Sequence, residues 1–311
     1  MLKNRNIAPN AGIAISKIQG AGLPAYGRVM YVAGGTSTMY SYWSGRVPQG
    51  DLFTTIGDAI SASTADRGDV IIIGPGTYTI TSALVPKANT SFVAAVQSSA
   101  RKPSVIVTGN IADVVQVDVD GVYFEGIEFL AAGNTADNLV DVADAAAVAG
   151  LTFKNCVFNG ADKTTVVGIN AADATFAVTG LTVTNCLFRD LTGTCLNIGV
   201  KGMPYAYIGY NQFAIDVNGG TGIALADTTA FATGKGYVIE HNDFTGFDAT
   251  ADEVGITIAG TEDTTGAGII RNNYFAYLAA AAVTIDKLSK SEVNNYVGDA
   301  ATGGTLVDPG T

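Results

Sequence analysis

The chain has 311 residues, 48% of them apolar and only 14% charged, and carries a formal net charge of −11. That acidic balance excludes a nucleic-acid surface, which needs clustered Lys and Arg, and no apolar run is long enough to span a membrane. The N-terminus lacks the basic-then-apolar pattern of a signal peptide, and 38 glycines point to many corners and few helices.

In chain order, residues 1–27 stand outside any repeat and read as an arm. Its candidate partner-binding residues are Ile7, Pro9, Asn10, Ile13, Ile15, Lys17 and Ile18. Such an arm either covers an open end of the core or orders on docking to another protein. Residues 28–311 form one further unit. Arg28–Ala33 reads as a first strand, and Gly34–Gly50 as a loop carrying Tyr40, Tyr42 and Trp43. Loop aromatics of this kind cover an open core end or bind a sugar or partner surface. Asp51 is placed to cap a helix through Ala62, with Leu52, Phe53, Ile56, Ala59 and Ile60 on one stripe. Strands follow within Asp69–Tyr78, Phe92–Val96, Val105–Val107 and Val115–Val119, opening coils that run over about 69–307.

From Phe124 a segment repeats. Gly150-Leu-Thr-Phe-Lys-Asn155-Cys156-Val-Phe158 returns as Gly180-Leu-Thr-Val-Thr-Asn185-Cys186-Leu-Phe188, then as segments ending at Phe213, Phe244, Phe275 and Tyr296. Copies lie 29, 30, 25, 31, 31 and 21 residues apart, counted from Phe129, which is the spacing of a solenoid. Within a copy the apolar alternation shifts phase once, at the Asn before Cys156 or Cys186, so each copy is two short strands joined by a bend. Asn is the non-glycine residue that best tolerates a left-handed corner. A third strand follows each copy, at Leu139–Val142, Val166–Ile169, Cys195–Ile198, Gly222–Leu225, Gly255–Ile258 and Ala282–Ile285.

Stacked coils bring equivalent positions to about 4.8 Å. The predicted inner ladder is Ile127, Cys156, Cys186, Asn211, Asn242, Asn273 and Asn294, with amides bonding along the axis. Beside it runs an aromatic column, Phe129, Phe158, Phe188, Phe213, Phe244 and Phe275. Outside, Glu125 meets Lys154, and Glu240, Arg271 and Glu292 alternate in sign. Cys156 and Cys186 share a ladder position close enough for a disulfide by distance alone, and buried thiols acting as small apolar residues are the preferred reading. The expected fold is all-β: a single-stranded right-handed parallel β-helix with three short strands per coil, an N-terminal capping helix and an extended arm.

At these residues the chain resembles the right-handed parallel β-helix family, the pectate-lyase-like solenoids. The strings Phe53-Thr-Thr-Ile-Gly-Asp-Ala-Ile60 and Gly68-Asp-Val-Ile-Ile-Ile-Gly-Pro-Gly-Thr-Tyr78 resemble the capping helix and first coil of many such proteins. The arm, Asn10-Ala-Gly-Ile-Ala-Ile-Ser-Lys-Ile18, resembles a segment frequent in tailed-bacteriophage fibre and virion proteins. These resemblances imply a virion protein without catalysis: a capsid decoration or head-fibre protein, a homotrimer, docking through its arm to capsid, neck or tail proteins. The competing readings are a tailspike that binds or cleaves host polysaccharide, and a free polysaccharide lyase or hydrolase.

Enzymes of this fold use stacked acids, with Ca²⁺ and a basic residue or as paired carboxylates. Here Asp162, Asp190, Asp216, Asp248 and Asp299 follow the repeat aromatics at varying offsets, and Asp248, Asp252, Glu253, Glu262 and Asp263 make an acidic patch. Solvated corner acids explain both. His241, the one histidine, takes a corner position held elsewhere by Asn. Arg189 and Asp190 form an outward pair with no match expected in neighbouring coils. The tracts Asn134–Ala149, Gly199–Pro204 and Asp227–Gly236 read as side loops. No catalytic residue, metal ligand or cofactor is assigned.

Overall fold

The computed structural model describes residues 27–96, 103–133, 138–163, 166–172, 176–199, 203–215, 220–226, 236–246, 253–259, 268–276, 278, 283–285, 291–293 and 295–298. These build an all-β parallel solenoid with three long faces: sheets of eleven, nine and seven parallel strands, here called the first, second and third sheets. The chain passes through the sheets in that order, as at Thr182–Thr184, Leu187–Leu191 and Thr194–Ile198. The third strands lie close to their expected positions, from Asn138–Val142 to Val283–Ile285.

The inner file that sets the register is an amide ladder. The Nδ2 of Asn211 donates to Oδ1 of Asn242 and to the Val183 carbonyl, at 3.0 and 2.8 Å. Asn242 repeats this toward Asn273 and Ile208, and Asn273 toward Asn295 and Ile239. Each Oδ1 also accepts the backbone N–H of the preceding rung, beginning with Cys186 N–H to Asn211 Oδ1 at 2.9 Å. Buried amides are therefore satisfied on both sides, as burial requires. Cys156 and Cys186 continue the file as buried free thiols, and burial pushes the Cys186 thiol up.

Two aromatic stacks fill the space beside the ladder. Phe158, Phe188, Phe213, Phe244 and Phe275 stack at 4.6–4.9 Å between centroids. A second stack, Phe92–Phe124–Phe153, meets the first edge-on through Phe124 and Phe129. Each ring contributes about 1.5–3 kcal/mol by burial, and its stacking adds roughly 0.5–1.5 kcal/mol.

The corner before each rung is left-handed, at Gly126 (φ 75°), Asn155 (53°), Asn185 (54°), Tyr210 (60°), His241 (54°) and Asn272 (55°). Three expectations at the C-terminal end need correction. Asn294 lies outside the described residues, and among the described residues the last rung is Asn295. The aligned register pairs Phe275 with Val297 and Tyr274 with Tyr296, so Tyr296 is not the equivalent of Phe275. The same one-residue offset pairs Arg271 with Val293 instead of Glu292. The Asn294–Asn295 doublet, like Asn272–Asn273, offers a corner and a rung in adjacent positions, and an aromatic one residue early misled the alignment.

The N-terminal end also differs. Asp51 ends a 3-10 turn, Leu52–Phe53 pairs with Val29–Val32, and the capping helix starts only at Ile56. Thr55 caps it, accepting the Asp58 N–H at 3.1 Å. Inside the expected loop, Ser37 caps a helix over Thr38–Ser44, which turns Trp43 onto Tyr31 and leaves Tyr42 exposed. Leu52 and Phe53 lie ahead of the cap because edge pairing to the first sheet competes successfully with one more helical turn. Asn134–Ala149 is no simple loop: Asn138–Val142 is a strand, and Val148–Ala149 pairs with Val178–Thr179.

Asn242→Ala would strand the Asn211 amide, its N–H and the Ile208 carbonyl, so unfolding stability is expected to fall by about 3 kcal/mol or more. Cys186→Asn adds a rung and is expected to raise the melting temperature. Denaturant titration of both variants checks the pair.

Candidate functional site

On the outer face of the second sheet, Glu128 is 6% exposed. Its Oε1 accepts Asn159 Nδ2 at 2.8 Å and Arg189 at 3.1 Å. Arg189 also lies 3.9 Å from Asp190 Oδ2. The partner of Arg189 thus sits two coils away. Arg189 is in register with Asn159, and Glu128 with Val157, so the ion pair is diagonal and invisible to a column-by-column reading.

A bulge builds this corner. Register slips between Asn159 and Lys163, with Ala161 (φ 52°) and Asp190 (φ 53°) both left-handed. Asn159 Oδ1 accepts the Ala161 N–H at 2.9 Å, and a Cβ on Gly160 would lie 2.2 Å from the Asp190 carbonyl. Bulges re-aim side chains and gather next to functional sites.

The first sheet carries a motif twice. Tyr123 donates to Glu125 at 2.6 Å, and Lys154 pairs with the same carboxylate at 3.2 Å. Tyr207 donates to Glu240 at 3.0 Å, and Arg271 pairs with it at 2.6 Å. Burial opposes the Glu240 charge, but the bonds from Arg271 and Tyr207 outweigh it and hold its carboxyl below the usual range. Burial, then the Glu240 bond, pushes the Tyr207 phenol up to about 12. Gly209 makes room for this, since a Cβ there would lie 2.6 Å from the Tyr207 hydroxyl. Beside it Tyr210 stacks on His241 at 4.9 Å, with Tyr205, Tyr210 and Tyr274 exposed.

The third sheet bears an outer polar ladder that sequence reasoning missed. Gln116, Asp141, Asn170 and Asn197 are in register. Asn170 donates to Asp141 at 2.9 Å and Asn197 to Asn170 at 3.0 Å. Burial raises the Asp141 carboxyl to about 6; Asp113, Asp144 and Asp118 add to the rise, and the Asn170 bond opposes it. The signal was present in Val140-Asp141-Val142, Ile169-Asn170-Ala171 and Leu196-Asn197-Ile198, a polar residue between two buried ones.

The arm residues Ile7, Pro9, Asn10, Ile13, Ile15, Lys17 and Ile18 lie outside the described residues, as do Asp216, Asp248, Asp252, Glu262, Asp263 and Asp299. Glu253, expected at the surface, is buried. Among the described residues no three His, Cys, Asp or Glu converge as metal ligands, and no helix is long and apolar enough to cross a membrane.

No protein-family profile and no curated protein sequence matches the chain. Solved structures do. The pectin methylesterase from Aspergillus niger is similar with a TM-score of 0.53 at 16% identity, over 88% of this chain and 86% of that one. The PL6 family alginate lyase AlyGC is similar with a TM-score of 0.55 at 12% identity, over 88% of this chain and 40% of that one. Both are right-handed parallel β-helix proteins, and at these identities the likeness establishes the fold.

Arg189→Leu leaves Glu128 buried without its cation. The expected cost is about 2–3 kcal/mol, below that of a fully buried pair because Arg189 is partly exposed. Adding Glu128→Leu should recover most of it in a double-mutant cycle. For Asp141 the folded form binds its proton more tightly than the unfolded chain, from 3.8 raised to about 6. Stability from this group is therefore greatest below the unfolded value and is lost as pH rises through about 6. Melting temperature is expected to rise from pH 7 to pH 5, and Asp141→Asn to flatten that slope.

Proposed function

We propose that this chain is a non-enzymatic structural protein of a tailed-bacteriophage virion, a capsid decoration or head-fibre protein docking through its N-terminal arm. The observation that carries this reading is the closure of the outer charges. Lys154, Arg189 and Arg271 each engage a carboxylate of another coil, Glu125, Glu128 and Glu240. A general acid or nucleophile must meet substrate in the protonation state its step demands. Carboxylates tied to a cation and further hydrogen-bonded instead staple successive coils.

The string Asn10–Ile18 supports placement in a virion, and the net charge of −11 suits a particle surface that must not self-associate. Capsid, neck or tail proteins are the partners, and copies associate as a homotrimer. A second reading, a tailspike binding host polysaccharide, is favoured by the exposed rings of Tyr205, Tyr210 and Tyr274.

Quantitative mass spectrometry of purified virions is expected to give a copy number near that of the capsid subunits. Host polysaccharide incubated with the protein should release neither reducing ends nor unsaturated products. Turnover that disappears in Glu128→Gln or Asp190→Asn would overturn the structural reading.

A further inference from the structure

Along the corner between the first and second sheets, the left-handed position passes from Gly126 through Asn155 and Asn185 to Tyr210, His241 and Asn272. Backbone bonds keep this column in step. Asn185 N–H donates to the Gly209 carbonyl, Tyr210 N–H to Glu240 and His241 N–H to Arg271. Glycine and asparagine adopt the conformation at little cost, whereas a side chain as bulky as Tyr is an outlier there. Strain of this kind gathers at ligand sites. Burial does not account for it here, since Tyr210 is 55% exposed and His241 is exposed as well.

The two rings stack 4.9 Å apart and 10° from parallel, so each covers one face of the other. On the far side of Tyr210 the column continues with Asn185, whose side chain is too small to cover a phenol ring. Amides border that open face. Asn185 is exposed and one rung away, and Gln212 follows Tyr210 by two residues on the second sheet. Gln212 is in register with Asp243, and Asp243 with the exposed Tyr274. Tyr205 does not join them, because it precedes Tyr207–Gly209 at the other edge of the first sheet.

An open aromatic face beside amides is the pairing a sugar ring needs. Its C–H face sheds water against the phenol, while its hydroxyls bond to planar amide groups. An aromatic side chain buries roughly 150–250 Å², well short of the about 800 Å² per partner of a stable protein interface. Charge narrows the class further. In the adjoining first-sheet column, Lys154 and Arg271 already pair with Glu125 and Glu240, so an acidic sugar meets cations that are engaged. We propose that the Tyr210–His241 ridge binds a neutral glycan, with one pyranose ring on the open face of Tyr210 and Asn185 and Gln212 taking its hydroxyls. Such binding suits a head or a tail position alike, so it goes beyond the virion reading and either can fail alone.

His241 is the only histidine, so its imidazole C–H signals stand apart in a proton NMR spectrum and report on this ridge. The full chain is titrated at fixed pH with cellohexaose, maltohexaose and the N-acetylglucosamine hexamer, and with hexagalacturonate as the acidic counterpart. At least one neutral hexamer is expected to shift the His241 signals saturably, and the acidic one to leave them in place. Tyr210→Asn is expected to weaken that binding by roughly tenfold or more, as loss of a stacking ring should. Its melting temperature should hold or rise, because Asn suits the left-handed corner. No shift with any neutral hexamer would overturn the proposal, as would equally tight binding of hexagalacturonate. So would unchanged binding in Tyr210→Asn, or a lower melting temperature, which would make the ring a structural one.

Discussion

Everything in this solenoid depends on inner amides that bond both ways along the axis. An Asn side chain is satisfied only if the next rung stands one strand spacing away in the same register. From Asn211 to Asn295 that condition holds at every rung. A slip of one residue in any coil would strand buried donors and turn the neighbouring phenylalanines outward. The ladder therefore fixes register, and register places the ring stacks, the corners and every outer column.

With the interior fixed, variation moves to the corners and the outer faces. Tyr210 and His241 occupy left-handed positions that Asn or Gly would fill at lower cost, and their rings stack. Strain kept at an exposed position is a reason to look for contact there. The outer charges follow a different logic. Glu125 and Glu240 pair with the next coil in their column, whereas Glu128 is reached diagonally across Asn159 by a residue on a bulged corner. The result is a solenoid whose outer charges fasten coil to coil.

Much of this was legible in the sequence because a repeat samples the same environment many times. The phase shift at Asn155 and Asn185 disclosed the bend, and the return of Phe at a near-constant spacing disclosed the stack. Legibility ended where one copy had two equivalent solutions. Asn294–Asn295 offered two rungs, and Tyr296 drew the alignment to the wrong one. It also ended where contacts cross columns, as between Glu128 and Arg189, since linear spacing carries no diagonal. The N-terminal cap was placed too early because Leu52 and Phe53 suit a helical stripe and an edge strand equally. The Asp141 ladder was hidden for a simpler reason: each third strand carries a single polar residue between two buried ones, with no repeated motif to mark it.

The interior file changes character at one point. Between Cys186 and Asn242 every junction is crossed by a side-chain amide, while the Cys156 thiol meets the Lys154 carbonyl of its own turn and the Phe124 carbonyl of the turn before, and the Cys186 thiol meets the Thr184 carbonyl of its own. Under tension along the rod, junctions between windings carry the same force in series, as links in a chain do. The winding boundary at Cys156 and Cys186 lacks the amide tie that its neighbours toward the C-terminus possess. At that boundary the Arg189–Glu128 ion pair, which reaches over two windings, and the Phe158–Phe188 stack supply the tie instead.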